Sequence, residues 1–263
     1  MKKDIVAGLG EIGHPIFTLI HEVYPVTGFD KNEKIIPKSN DSVEDLPVRF
    51  IHICIPFNDK FFQNVEELIT KFNPEGIIIH STISPKTTSK LQEKNNLPII
   101  YSATRGVHKR MLDDLKTYAK FFAIEENAPN KEFAISEFTS LMEKCGVETK
   151  QVTSPVTLEL SKIICDTSYY GWLINYAQIS KIVSDRYNVD YDEMWSFADE
   201  IHKILGNRPK MFPGYIGGHC VIPNLDLINN QTLNLINELN DFYLKKVPNA
   251  KRIAKKYGSK LNR

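Results

Sequence analysis

Residues 4–13 read DIVAGLGEIG, an apolar run followed by three glycines in the spacing G-x-G-x-x-G. The run predicts a strand over residues 3–7, and the residues after Gly13 predict a helix to about residue 22. Between them, Gly8 permits a tight bend, Gly10 permits close approach of a phosphate, and Gly13 permits the helix to pack on the strand. The free N–H groups at a helix N-terminus also favour an anion. The stretch therefore predicts a Rossmann-type unit that binds a dinucleotide.

An acidic residue closes the second predicted strand, where Val26–Phe29 is followed by Asp30. A carboxylate there can accept hydrogen bonds from both ribose hydroxyls and would repel a 2′-phosphate, so NAD is favoured over NADP. Folds that bind S-adenosylmethionine also place an acidic residue here, although they do not normally need the third glycine. An exposed turn aspartate that binds nothing is the remaining alternative.

Short apolar runs continue to alternate with amphipathic stretches as far as about residue 153. The runs lie at residues 50–55, 77–80, 99–101 and 121–124. Near-continuous apolar strands between helices are typical of a parallel sheet covered on both faces. The sequence thus predicts an α/β fold with a Rossmann-type, doubly wound parallel sheet, and residues 1–153 are assigned to an NAD-binding domain.

The pattern changes in the second part of the chain, residues 154–263, for which we predict a helical domain. Residues 156–187 contain no proline and one glycine, with apolar residues on more than one side. They predict a long central helix, buried by the first domain or by a second copy of itself. A loop rich in glycine and proline follows at residues 209–223, and a C-terminal helix with a basic end completes the domain.

Composition excludes several classes of partner. The 263 residues carry a net charge of +1, which gives no reason to expect nucleic acid or a membrane surface as a partner. No apolar stretch is long enough for a membrane span, and the N-terminal run is too short for a signal peptide. Four scattered cysteines without a C-x-x-C pair predict neither a metal site nor a disulfide framework, which favours a reduced, cytoplasmic setting.

Several blocks of the sequence resemble the nucleotide-sugar dehydrogenases, the enzymes that oxidise UDP-glucose, UDP-N-acetylmannosamine and GDP-mannose. They follow the glycine turn and Asp30 in the order of that family, and the last block is the most specific. The blocks read ICIP at 53–56, IHSTISPKTT at 79–88, LELSK at 158–162 and PGYIGGHC at 213–220.

The resemblance implies an NAD-dependent oxidation and assigns roles to individual residues. Cys220 matches a nucleophile that attacks an aldehyde intermediate. The thiohemiacetal that forms gives a second hydride to NAD, and the resulting thioester is hydrolysed to a carboxylate. Lys162 matches a lysine that stabilises oxyanion character, and Thr82 matches a threonine associated with the active-site water. The implied cofactor contacts are Gly8, Gly10, Glu11, Ile12, Gly13, Asp30, Pro56, Ser81 and Thr82.

The resemblance also implies a homodimer through the long central helix. The aromatic residues expected at that interface are Tyr169, Tyr170, Trp172 and Tyr176. Packing of the same residues inside one chain is the alternative.

The residues themselves support these roles and leave alternatives open. A thiol after two glycines, as at Cys220, is approachable and nucleophilic, although a free cysteine is often a small buried residue. Lys162 is costly to bury without a partner, and Asp166 one turn later could supply one, either in a site or as a surface ion pair. Thr82 could instead cap the helix that begins near Pro85.

Four departures from the family concern the chemistry directly. Asp166 stands where the family has asparagine, and Asn224 stands where it has aspartate. The segment that supplies catalytic carboxylates reads ATRGVH over residues 103–108, in which His108 is the residue that could act as a base. The family also continues into a third domain that helps to bind the nucleotide part of its substrate.

These observations predict an NAD-dependent oxidoreductase with an altered site, acting on an alcohol carbon of a sugar-like or small hydroxy substrate. Two other hypotheses remain. One is a non-redox enzyme on the same scaffold, such as a methyltransferase that uses S-adenosylmethionine. The other is a module that binds NAD without turnover.

Overall fold

The computed structural model describes residues 1–37, 41–218, 220–228 and 230–251. The chain divides into two compact units, Met1–Lys162 and Ile163–Arg263. This division lies within the helical run that begins at Pro155, whereas the sequence pattern placed it after residue 153.

A sheet dominates the first unit, and its described strands lie in the order β2-β1-β3-β4-β5-β6-β7. Strands β1 to β5 are parallel, β6 is antiparallel to β5, and β7 is parallel to β6. The chain order reverses on either side of β1, and ligands of open α/β sheets bind at such a switch point, beyond the carboxyl ends of the strands. The strands are β1 Lys3–Ala7, β2 Val26–Phe29, β3 Val48–Ile53, β4 Gly76–Ile79, β5 Ile99–Tyr101, β6 Lys120–Ile124 and β7 Thr149–Gln151.

Helices cover both faces of this sheet. Successive residues of a strand point to opposite faces, so neighbouring residues of β1 contact different helices. Val6 of β1 packs with Ile16 and Ile20 of α1 on one face. Its neighbour Ile5 packs with Val65 of α3 on the other face. The prediction of a doubly wound sheet is therefore confirmed. The helices of this unit are α1 Gly13–His21, α2 Asp41–Glu44, α3 Phe61–Phe72, α4 Thr87–Lys94, α5 Met111–Thr117, α6 Lys131–Lys144 and α7 Pro155–Leu160.

The predicted central helix is present, but its hydrogen bonding is not uniform. Ser154 caps α7 by accepting a hydrogen bond from the Thr157 N–H, and Pro155 occupies the first turn, where its missing N–H costs little. A π-helical segment, Ser161–Ser168, follows and leads into α8 Tyr169–Arg186. The sequence pattern predicted one regular helix and gave no sign of this segment.

The second unit is helical, as predicted, and its apolar core lies between α8 and the helices that follow. Val221 and Ile236 belong to this core and approach Gly171 of α8, where an added Cβ would lie 3.1 Å from each side chain. The remaining described helices are α9 Tyr191–Leu205, α10 Ile222–Leu225 and α11 Gln231–Lys246. None of the helices in the described ranges is both long enough and apolar enough to cross a membrane.

Candidate functional site

The glycine turn connects β1 to α1 at the switch point of the sheet. Gly8 has φ +89°, and a Cβ there would lie 2.8 Å from the Cys54 carbonyl oxygen. A Cβ on Gly13 would lie 1.6 Å from the Gly8 carbonyl oxygen. The packing of the protein itself therefore requires both glycines.

Gly10 differs, because no described atom beyond its chain neighbours lies within 4 Å of the position that its Cβ would occupy. Its φ lies outside the left-handed region, so neither backbone conformation nor internal packing explains the glycine. The missing side chain leaves open space directly before the N-terminus of α1. A diphosphate needs such a surface to approach the backbone N–H groups.

Asp30 fixes the end of β2 against the glycine turn. Its Oδ2 accepts a hydrogen bond from the Leu9 N–H at 2.7 Å, and its Oδ1 accepts one from the Asn32 N–H at 2.9 Å. Each carboxylate oxygen has a second lone pair, so both can still accept a hydroxyl. This geometry suits a ribose that presents two adjacent hydroxyl groups.

The other cofactor contacts implied by the resemblance lie on or near the same edge. Glu11 is exposed and Ile12 is half-buried in the glycine turn. Pro56 is exposed after β3. Ser81 is buried after β4 and donates its hydroxyl to the Ile55 carbonyl at 2.6 Å, so it ties the ends of these two strands together.

Glu159, for which the sequence patterns predicted no role, caps helix α4. One of its carboxylate oxygens accepts from the Lys86 N–H at 2.6 Å, and the other accepts from the Thr88 N–H and hydroxyl at 3.0 and 2.7 Å. Burial raises the pKa of Glu159, and these hydrogen bonds oppose that shift. The suggestion that Thr82 caps this helix is wrong, because α4 begins at Thr87 and Glu159 satisfies its N-terminus. The half-buried Thr82 precedes the helix by a full turn.

Lys162 and Asp166 both lie in the π-helical segment, and both are half-buried. Segments of π-helix are rare and are frequently found at functional sites, since they change the direction of side chains relative to a regular helix. The four-residue spacing of Lys162 and Asp166 predicted that they lie one turn apart on a regular helix. The structure places them on a π-helical backbone instead.

Cys220 is exposed, so the interpretation of this cysteine as a small buried residue is wrong. The half-buried Asn224 donates from Nδ2 to the Cys220 carbonyl oxygen at 2.5 Å and thereby stabilises the loop backbone. His108 begins a short 3₁₀ turn, His108–Arg110, and its side chain lies outside the described residues. His219 lies outside them as well.

A chain of buried polar side chains crosses the sheet, and the sequence patterns did not predict it. Arg49 of β3 forms a two-point ion pair with Asp4 of β1, with Nε–Oδ1 and Nη2–Oδ2 distances of 2.9 and 2.5 Å. His52 Nε2 lies 3.4 Å from the same carboxylate, and His52 Nδ1 lies 2.9 Å from His80 Nε2. His80 Nδ1 in turn lies 3.1 Å from the Ser102 carbonyl oxygen. The signal in the sequence was the occurrence of polar and charged residues within or directly after otherwise apolar strands.

The acceptor at the end of this chain fixes the tautomer of His80. A carbonyl oxygen only accepts, so His80 carries its proton on Nδ1 and its Nε2 accepts from the Nδ1–H of His52. Burial lowers the pKa of His80 well below its usual value, which keeps the ring neutral. The chain therefore holds the Ser102 carbonyl in place at the carboxyl end of β5.

No protein-family model matches this sequence, and no curated protein matches it either. Solved structures do match. UDP-D-ManNAc dehydrogenase from Pyrococcus horikoshii has a TM-score of 0.74 and 16% identity, over 92% of this chain and 68% of that chain. The chain has the fold of the nucleotide-sugar dehydrogenases. UDP-N-acetyl-mannosamine dehydrogenase from Staphylococcus aureus has a TM-score of 0.65 and 21% identity, over 92% of this chain and 68% of that chain.

A smaller dehydrogenase shares this fold over nearly its whole length. The 3-hydroxyisobutyrate dehydrogenase of Mycobacterium tuberculosis has a TM-score of 0.64 and 14% identity, over 95% of each chain. These likenesses confirm the resemblance at the level of the fold and show a dehydrogenase-like scaffold.

Proposed function

We propose that this chain is an NAD-dependent oxidoreductase that removes a hydride from an alcohol carbon of a sugar-like or small hydroxy substrate. The observation that carries the proposal is the open position above Gly10, which the fold itself does not require. This position lies at the switch point of the sheet. The solved structures described above, which are similar to this chain, are dehydrogenases. Asp30 stands beside the open position with both carboxylate oxygens fixed by backbone N–H groups.

The residues present fit NAD. The turn from Gly8 to Gly13 and the N-terminus of α1 would hold the diphosphate, and Asp30 would bind the adenosine ribose. When bound, NAD accepts the hydride. By the resemblance, Lys162 stabilises the substrate oxygen, and Cys220 traps an aldehyde product or shapes the pocket. Asp166, which replaces an asparagine of the family, would act as the charge partner of Lys162.

The altered carboxylates bear on how far the oxidation proceeds. The described residues 103–107 contain no carboxylate that could activate water, and loss of a general base typically costs a factor of about 10² to 10⁴. Hydrolysis of a thioester on Cys220 would therefore be slow if His108 does not replace that base. Identification of the product as an aldehyde or a carboxylate will show whether one or two hydrides are removed.

Titration with NADH tests the cofactor. We expect saturable binding that Asp30→Ala weakens at least about tenfold, because a hydrogen bond to a charged group contributes about 1.5–3 kcal/mol. Glu33→Ala is the matched control, since Glu33 is an exposed carboxylate on the 3₁₀ turn after β2. A panel of sugars and hydroxy acids with NAD should then contain an alcohol that raises the absorbance of NADH.

The same measurements separate the two alternatives. Tight binding of S-adenosylmethionine together with no binding of NADH would identify a methyltransferase-like enzyme and overturn the proposal. Binding of NADH without turnover of any alcohol would identify an NAD-binding module instead.

We also propose that the chain forms a homodimer through α8. Tyr169 and Tyr176 of this helix are 56% and 62% exposed, and Val183 lies exposed further along it. Trp172 differs, because it packs against the core of its own unit. Such exposed apolar side chains in one helix are typical of an interaction surface.

Sedimentation equilibrium tests the dimer. We expect a dimer mass for the wild-type chain and a monomer mass for the double variant Tyr176→Asp, Val183→Asp, because a charge in an apolar interface is costly to desolvate. Tyr118→Asp is the control, since Tyr118 is an exposed aromatic residue of the first unit. A wild-type chain that stays monomeric at all concentrations would contradict the proposal.

A further inference from the structure

Lys120, the first residue of β6, is buried beneath the segment that follows β5. Its side chain is nearly inaccessible, and the whole residue is only 5% exposed. Nζ donates to the carbonyl oxygens of Ser102 and Ala103 at 2.7 and 3.1 Å and lies 3.2 Å from Thr104 Oγ1. All three partners are neutral, whereas a buried ammonium group is ordinarily stabilised by a carboxylate.

Its surroundings favour the neutral amine. Burial lowers the pKa of Lys120 to about 7. The nearby Cys54 opposes this shift, and the positive charges of Lys162 and Arg105 add to it. The remaining titratable neighbour, His80, is neutral and donates to the same Ser102 carbonyl. Lys120 therefore differs from the ordinary surface lysines of the chain.

The contacts of Lys120 are satisfied in both protonation states. As an ammonium group, Lys120 donates to the two carbonyls and to the Thr104 hydroxyl. As a neutral amine, it donates to the two carbonyls and accepts the hydroxyl proton of Thr104. One proton can thus be gained or lost by reorienting a single hydroxyl, without movement of heavy atoms.

Lys120 also lies at the functional edge of the sheet. Because β6 runs antiparallel to β5, the first residue of β6 stands beside the carboxyl end of β5. Ligands of such sheets bind at the carboxyl ends of the parallel strands. Lys162, to which the resemblance assigns a role at the substrate oxygen, belongs to the same unit, and its charge lowers the pKa of Lys120. This interaction is a second sign that Lys120 lies near the functional edge.

We propose that Lys120 is the buried proton acceptor for the oxidation proposed above and that it acts through Thr104. As the alcohol carbon loses a hydride to NAD, the hydroxyl proton of the substrate passes to Thr104 Oγ1. The proton already on Thr104 moves to Nζ, so that a carbonyl product and an ammonium group result. Lys120 then returns this proton to solvent through the same hydroxyl before the next turnover. The charge of Lys162 favours the neutral amine that can accept a proton.

The first measurement follows the lysine side chains of the full-length protein by ¹³C NMR as the pH is raised. We expect one resonance to titrate near pH 7, to disappear in Lys120→Met and to persist in the control Lys94→Met, which removes an exposed lysine. Titration of Lys120 near its ordinary pKa of 10.5 would overturn the proposal.

The second measurement is the pH dependence of kcat/KM with the alcohol found in the NAD screen. We expect the wild-type value to rise with pH up to about 7 and then to level off. Lys120→Arg keeps the positive charge but accepts no proton, so it should lose about 10²–10⁴-fold in rate together with the inflection. Thr104→Val should lose rate similarly, and Thr104→Ser should restore it. An unchanged inflection in Lys120→Arg would overturn the proposal.

The two measurements distinguish failure of this inference from failure of the proposed function on which it rests. A resonance that titrates near pH 7 without turnover of any alcohol would overturn the proposed function and this role with it. Turnover accompanied by an ordinary Lys120 pKa would overturn this role alone.

Discussion

Gly10→Val is expected to abolish NADH binding, with a loss of at least about 100-fold, while the protein remains folded. A Cβ at this position would meet no described atom beyond its chain neighbours, so we expect the free energy of unfolding to change by no more than about 1 kcal/mol. The same side chain would occupy the space that the diphosphate needs and would keep it from the helix N–H groups, whose bonds to an anion contribute about 1.5–3 kcal/mol each. Calorimetric titration with NADH and urea denaturation measure the two effects separately.

Gly13→Ala supplies the contrast within the same turn. Its Cβ would lie 1.6 Å from the Gly8 carbonyl oxygen, a backbone atom that cannot move aside. We therefore expect loss of stability of several kcal/mol, on the order of the largest single-residue effects. Wild-type affinity for NADH in Gly10→Val would show that the turn does not hold a diphosphate.

The sequence predicted the parts of the fold that local patterns determine. The apolar run of β1, the glycine turn and the periodicity of α1 lie within twenty residues, and each specifies a backbone conformation by itself. The position of Asp30 follows from the same βαβ unit. These features needed no knowledge of which strands become neighbours.

The missed features depend on strand register instead. Asp4 faces Arg49 and His52 only because β1 pairs with β3, and His80 joins them only because β4 lies beside β3. Lys120 reaches Ser102 only because β6 turns back along β5. Neither composition nor hydrophobic periodicity specifies which strands pair. The polar residues of these strands are therefore visible in the sequence, but their contacts with one another are not.

Arg49→Met is expected to destabilise the protein by about 3–5 kcal/mol at neutral pH, the range typical for the loss of one partner of a buried ion pair. The arginine side chain is 5% exposed and Asp4 is fully buried, so the remaining carboxylate cannot be hydrated. The second ion pair of Arg49, with Glu137, involves a carboxylate that is 40% exposed. Glu137→Ala is therefore the control, with an expected cost below about 1 kcal/mol.

The pH dependence of this loss identifies its cause. Burial alone raises the pKa of Asp4, but the hydrogen bonds and charges of His52 and Arg49 outweigh it and hold the pKa below its usual value. In the wild type, Asp4 thus contributes stability above the pKa of the unfolded chain, near 3.9, and loses it as the pH falls through the lower folded value. Without Arg49 burial prevails, so the folded carboxyl takes up a proton under milder acid than the unfolded one. The difference in unfolding free energy between Arg49→Met and wild type should therefore shrink as the pH falls from 7 toward 4, whereas lost packing alone would leave it constant.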